Sequence, residues 1–447
     1  MTTQTATGRM TRPEQTAPAS SFTRAAFNQV SGRAQPAWLA EQRRQAWEAF
    51  ERLPMPAAYE RAWKYLDPAR LRLSGLTLLA SGTATDALQS LLDAKEQRAG
   101  LVVQVDAETA AVELSEDVRA QGVTVLSLEE AARTHAALVQ EALGSVVRPD
   151  ESSFSALNAA LWTGGVFIHV PKDVIVALPL QVAFVQQTPG TALFPRILVV
   201  LERGAKLTLV EERIGNGDAT GFVAGVTEFA VAEGANLEHY AVQRWGSHVQ
   251  DVTTQRTLLA KDARATTLSA GLGGELQKWW VEALMQGAGS QSKMLGVFYG
   301  SRSQQMDVIT LQDHIGAHTT SDLLYKTALQ DRAVGAYYGL TRVGPEARGT
   351  AANQEDRNLL LSPKAKADAD PVLEIMTSDV IRCGHGASVG PVDQEQLFYL
   401  ECRGLPRAEA EKLLVHGFLH QVTERIPLES VQQTIARVID EKLKAGA

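Results

Sequence analysis

At 447 residues the chain is too long for one ordinary compact domain, and 45% hydrophobic with 21% charged residues and 35 glycines describes a globular, turn-rich protein of two or three structural regions. Its only cysteines, Cys383 and Cys402, argue against a disulfide framework and for reduced thiols in the cytoplasm. A formal net charge of −8 without a Lys/Arg block argues against nucleic acid as a partner, and no apolar run reaches the roughly 18 residues that span a bilayer, so no membrane segment is expected.

The opening MTTQTATGRMTRPEQTAPASS has no apolar core of a secretory signal and reads as a disordered tail. Residues 36–66 carry Trp38, Leu39, Trp47, Phe50 and Leu53 at helical spacing that stops at Pro54 and Pro56. From about 75 to 150, short apolar runs (LVVQVD, AAVELS, VTVLSL) alternate with a helix-like stretch, EEAARTHAALVQEAL, as in a small α/β segment.

From about 164 to 390 strand-length alternating runs dominate, and a phrase of turn, small residue and strand recurs: ERGAKLTLV, AEGANLEHY, AKDARATTL and MQGAGSQSKML. Its alanines, Ala205, Ala235, Ala263 and Ala288, lie 30, 28 and 25 residues apart by subtraction, a loose solenoid period. DRAVGAYYG, PEARGTAAN and SPKAKADAD continue it less regularly. The pattern predicts a right-handed parallel β-helix whose coils stack about 4.8 Å apart over a continuous apolar column. The competing architecture is a sandwich or barrel of hairpins, which Asn216-Gly217 would favour locally.

After Pro391, helical periods return in three segments, with Gly404 placed as a helix cap and Pro406 and Pro427 near helix starts. The expected fold is therefore mainly β: a tail at 1–22, an N-terminal helical and α/β region at 23–150, a β-helix core at 151–390 and a C-terminal bundle of three short helices at 391–447.

The stretch IRCGHGASVG places Cys383 two residues before His385, so on a strand both point to one side with Cα atoms about 6.6 Å apart. That is half a metal site, since structural zinc and iron–sulfur centres want four ligands. A cysteine nucleophile with His385 as its base lacks a recognisable oxyanion hole, and a buried thiol with a hydrogen-bonded imidazole is the plain alternative. His314 and His318 share one side of a regular strand, while His416 and His420 sit one helical turn apart on the edge of an apolar face; neither pair reads as a metal site. GNGDATG misses dinucleotide spacing and no phosphate loop occurs, so ATP is not expected to bind this chain. No regular ladder of carboxylates marks the rungs, which keeps a stand-alone carbohydrate-active β-helix enzyme in second place beside a zinc-dependent hydrolase using Cys383 and His385.

Residues 357–405, RNLLLSPKAKADADPVLEIMTSDVIRCGHGASVGPVDQEQLFYLECRGL, closely resemble the signature of the SufB/SufD family of the SUF iron–sulfur assembly machine. FSALNAALWTGGVFIHVPKDV (154–174), PAWLAEQRRQAWEAFERLPMP and AWKYLD add to the resemblance, which extends over most of the chain from about residue 36. It favours the SufD branch: Gly386 follows His385 where SufB carries glutamate, and QEDRNLLLS lacks the SufB cysteine that starts cluster building. The resemblance implies a non-catalytic, cytoplasmic scaffold. It implies His385, and less firmly Cys383, as ligands for a transient iron–sulfur cluster shared with SufB, with none held by the isolated chain. It implies that the C-terminal helices hold the SufC ATPase, with Arg403 and Gly404 as contacts and Gln396 and Phe398 as core, and it admits a homodimer when the chain is isolated.

Overall fold

The computed structural model describes residues 20–82 and 97–445; the greater part of the expected tail, residues 1–19, lies outside them. Two long sheets dominate, and from Arg196–Leu201 onward successive strands fall alternately into one sheet and the other. Each strand therefore pairs in parallel with the strand two places along the chain, as Lys206–Gly215 does with Asn236–Arg244 and Thr220–Val231 with His248–Leu259. This is the expected β-solenoid. Asn216-Gly217 joins strands of opposite sheets, so the turn is a coil corner rather than a hairpin. The sheet begins ahead of residue 151, because Gly100–Val105 pairs in parallel with Leu180–Gln186 and antiparallel with Glu108–Leu114.

One corner repeats with a clear conformational signature. Gly204, Gly234, Asp262, Gly289, His318 and Gly349 all have positive φ, at intervals of 30, 28, 27, 29 and 31 residues by subtraction. Each is followed by a fully buried small residue: Ala205, Ala235, Ala263, Ser290, Thr319 and Thr350. Ala288 is exposed, so the inward position of that coil belongs to Ser290, two residues later. The hydroxyls of Ser290 and Thr350 donate to the carbonyls of Gly287 and Ala347, at 2.7 and 2.8 Å, which lets a small polar residue replace alanine without leaving a buried donor unpaired. DRAVG and SPKAK looked irregular because they belong to a second corner, where Ala333 and Ala365 are the buried small residues.

The coil interior is not the continuous apolar column expected. Leu207, Leu209, Leu237 and Leu259 fill part of it, but Glu211, Arg213, His239 and Asp251 are buried there as well. They persist because they satisfy one another: Arg213 Nε donates to Glu211 at 2.6 Å, Asp251 lies 3.6 Å from the guanidinium, and His239 Nε2 meets Glu211 at 3.0 Å. Burial opposes ionisation of Glu211, yet Arg213 and His239 hold its carboxyl down to about 2.

Helices cover the outer faces. Ala37–Arg52 ends where Pro54 and Pro56 forbid continuation, and its Leu39 and Trp47 join Phe154, Phe222, Val252 and Leu276 in one cluster over the second sheet. Helix Ser153–Leu161 is tied down by Asn158, which donates to the carbonyls of Pro195 and Ala224 and accepts from the buried Arg196. At the other end, Arg407–Thr423 and Glu429–Ala445 do not close a bundle of their own. Val415, Leu419, Val422, Ile435 and Ile439 pack onto outward-facing Tyr240, Val242, Leu268 and Val297 of the first sheet. Lys442 fixes the last helix by donating to the carbonyls of Leu272 and Tyr299 and to Gln304 Oε1, at 2.6–2.7 Å. Among the described residues no helix is long and apolar enough to cross a membrane.

Two outcomes are expected of this scaffold. A Cβ at Gly289, where φ is +75°, would meet Asp262 Oδ1 of the preceding coil at 2.3 Å, so Gly289→Ala should cost about 1–3 kcal/mol in urea unfolding; an unchanged midpoint would contradict the corner stacking. His314 ends its strand with Nδ1 on Thr319 and Nε2 on Ser321, both at 2.8 Å, and burial pushes its pKa down to about 4 despite Asp313. Because that lies below the unfolded value near 6.5, the stability it confers is complete above pH 6.5 and lost as pH falls toward 4. Between pH 7 and 5 the wild type should lose roughly 2 kcal/mol more than His314→Gln; equal losses would refute the assignment.

Candidate functional site

The sheets end on strands Lys366–Ile375 and Val380–Pro391. Each pairs with one strand only, Val334–Val343 and Thr350–Leu360 respectively, so their far edges carry no strand among the described residues. Beneath the final strand, Ala352, Gln354, Asp356 and Asn358 are buried and face inward. The parallel register places Cys383 over Ala352, His385 over Gln354, Ala387 over Asp356 and Val389 over Asn358. Side chains in register share a face, so Cys383 and His385 stand on the lumen side of a coil that has no coil above it. His385 is consequently exposed and Cys383 half-buried.

Burial raises the Cys383 thiol pKa, against a backbone hydrogen bond at Ala352 that lowers it. The strand thus keeps the thiol protonated at neutral pH, which disfavours a free nucleophile. Among the described residues no three His, Cys, Asp or Glu side chains stand at metal-ligand spacing. Cys383 and His385 therefore bring two donors to the coil mouth.

The residues below them were missed in the sequence, where QEDRNLLLS drew notice only for lacking a cysteine. Gln354 Nε2 donates to Tyr337 Oη at 3.0 Å, which meets Thr310 at 2.8 Å; Asn358 Nδ2 donates to Asp356 Oδ2 at 2.5 Å. Burial pushes the Asp356 carboxyl up to about 7, with the Asn358 bond opposing. The available signal was alternation, since on a strand of this solenoid every second residue of Gln354–Asn358 must point inward. Large apolar side chains are exposed here, Ile381 at 74% and Met376 at 56% with Ile375 and Val389, interleaved with exposed Glu374, Asp379 and Arg382.

A second exposed region follows immediately. Helix Gln394–Cys402 starts on Asp393, whose carboxylate accepts from the N–H groups of Glu395 and Gln396. It ends in a Schellman turn, with Gly404 at φ +92° and the Gly404 and Leu405 N–H groups bonded to the carbonyls of Glu401 and Leu400. Arg403 lies exposed with its guanidinium 5.0 Å over the Tyr399 ring and Nη2 donating to Tyr399 Oη at 2.6 Å. Contrary to expectation Gln396 is exposed and Phe398 is 67% exposed; Leu397 is the buried residue of this helix, because one short helix packed on Arg407–Thr423 covers only one stripe. Phe398, Tyr399 and Leu413 leave large apolar surface in water.

Each of the other two histidine pairs has protein partners of its own, and exposed His420 lies 3.9 Å from Glu424. His314 is enclosed by hydroxyls, His318 lies at a coil corner beyond the end of that strand and so shares no strand face with it, and His416 bridges to Asp440 at 2.6 Å between the last two helices.

Residues 184–418 match the domain described as SUF system FeS cluster assembly, SufBD core domain, and residues 25–182 match the SufBD protein N-terminal region. The chain is 32% identical to the iron–sulfur cluster assembly protein SufD of Bacillus subtilis (strain 168) over 92% of its length and 95% of that protein's. It is 29% identical to SufB of the same organism over 74% of this chain and 71% of that one, and 28% identical to a SufBD family protein of Staphylococcus saprophyticus over the same shares. On this geometry and these matches, the chain belongs to the SufBD family of the SUF iron–sulfur cluster assembly system.

Proposed function

We propose that the chain is a non-catalytic, cytoplasmic scaffold subunit that pairs with a SufB-type protein at the open end of its solenoid and anchors a SufC-type ATPase on its C-terminal helices. One observation carries this reading: the final strand presents an exposed His385 on a sheet edge that no other described strand pairs, with Ile381 and Met376 exposed nearby. An edge of that kind is a template for another strand, and a second chain docked there brings its own side chains to the two donors of this one. The cluster is cargo, built transiently between the subunits, with His385 and then Cys383 as this chain's ligands; a cluster's preference for four ligands is what requires the partner.

The tail at 1–22, the region at 23–150, the solenoid at 151–390 and the ATPase-binding segment at 391–447 are the units of this proposal. Support for the last is the aromatic surface around Arg403, which resembles a docking site in composition. Gly404 acts there by holding the turn that aims Arg403. The same edge admits a homodimer when no SufB is present.

His385→Ala should leave the SufB–SufC complex of this chain intact by gel filtration while cluster yield, read as iron and acid-labile sulfide, drops severalfold; an unchanged yield would remove His385 from the ligand set. Arg403→Glu keeps Gly404 and hence the turn, so melting should be unaffected while SufC affinity falls at least roughly tenfold. Wild-type affinity would take Arg403 out of the contact.

A further inference from the structure

Residues 61–72 run across the outer face of the second sheet as a strap. Two buried apolar side chains root it: Trp63, 4% exposed, packs on Phe154 and Trp280 with ring centroids 5.9 and 5.7 Å away, and Leu66 is fully buried in the same cluster. Polar side chains of the sheet then hold the backbone of the strap. Gln250 accepts from the Arg72 N–H at 2.7 Å and donates to the Arg70 carbonyl at 3.0 Å, Gln305 donates to the Tyr65 carbonyl at 2.6 Å, and Lys278 donates to the Ala62 carbonyl. These residues stand on His248–Leu259, Leu276–Met285 and Gln305–His314, so the strap is seated on three successive coils.

Its tip reaches further. Arg61 lies 4.6 Å over the Tyr338 ring, and in register with Tyr338 stands Asp370, on the outermost strand Lys366–Ile375. Tyr65 Oη donates to Asp370 Oδ2 at 2.7 Å, and Lys64 Nζ donates to the same oxygen at 3.1 Å. The tyrosine bond is the stronger tie, because Lys64 is half in water and an exposed ion pair contributes little. The strand it holds has few other supports: among the described strands Lys366–Ile375 pairs with Val334–Val343 alone, and none of its residues is buried. A strand of that kind opens locally at low cost. Residues 376–379 join it to Val380–Pro391, which packs against it and carries Cys383 and His385.

We propose that Tyr65, helped by Lys64, is a positioning residue: it clasps Asp370, fixes the outermost strand of the second sheet and so preorganises the coil mouth for docking. The order of the C-terminal edge is thereby set by a side chain 305 residues earlier in the chain. The consequence for docking rests on the role proposed above for this edge; the clasp itself rests on the contacts to Asp370.

Hydrogen–deuterium exchange of the isolated full-length chain tests the clasp. Asp370→Ala should speed exchange of the amides in Lys366–Ile375 roughly tenfold, as expected for loss of one hydrogen bond to a charged group. Exchange in Thr220–Val231 and the melting temperature should stay as in wild type. Tyr65→Phe keeps the ring and should give a severalfold rise in the same amides, with no further rise in the Asp370→Ala background. Asp370→Asn, which retains an acceptor oxygen, should recover part of the protection. Wild-type exchange in Asp370→Ala, additive effects of the two substitutions, or a rise spread evenly over the solenoid would overturn the clasp. The affinity of Asp370→Ala for SufB should fall severalfold through lost preorganisation. Faster exchange with wild-type SufB affinity would overturn the docking reading of this edge and leave the clasp standing, so the two fail separately.

Discussion

A coil of a solenoid buries its inner face only under the next coil, and the last coil has none. The rest of this molecule follows from that constraint. Ten strands of one sheet run to Val380–Pro391, where the ladder stops with backbone groups and inward side chains still unmatched. The outer faces are covered, by the aromatic cluster around Trp47 and Phe154 on one sheet and by Val415, Leu419 and Ile435 on the other. Among the described residues the sheets also stop at Glu108–Leu114 at the opposite end, but there the edge strand runs antiparallel, whereas the C-terminal end is an open coil mouth. There His385 stands over a polar lumen instead of a hydrophobic plug.

Continuity of the chain joins this mouth to the C-terminal helices. Only Val392 and Asp393 separate the final strand from helix Gln394–Cys402, and Asp393 caps that helix. A load applied at Arg403 therefore reaches the strand bearing His385 through one helix and two linking residues. The far side is anchored, because Lys442 binds two strand-end carbonyls and Gln304 together. In the proposed complex, ATPase movement would bend the short connection and not the solenoid, whose coils are stiffened by continuous parallel ladders.

Much of this was legible in the sequence, and what was missed has a common cause. The coil period was visible because left-handed corners demand glycine or a tolerant residue, followed by something small, and Gly204-Ala205 and Gly234-Ala235 meet that demand openly. Ala288 misled because Ser290 does the same work with a hydroxyl that bonds its own turn. The apolar-column rule missed Glu211, Arg213 and His239, because periodicity reports which face a residue takes and not whether a partner from another coil neutralises it there. Asn216-Gly217 suggested a hairpin because turn chemistry is local, whereas the destination of the following strand is decided by the whole stack. The placement of Cys383 and His385 on one side was readable at once, but that they close over Gln354 and Asp356 required the register between strands 31 residues apart.

The central claim is that the last strand is a docking edge. Hydrogen–deuterium exchange of the amides in Val380–Pro391, compared between the isolated chain and its complex with SufB and SufC, tests it most directly. The account predicts that amides facing the free edge exchange quickly in the isolated chain and become strongly protected in the complex. Unaltered exchange along this strand, with new protection confined to another part of the solenoid, would contradict it.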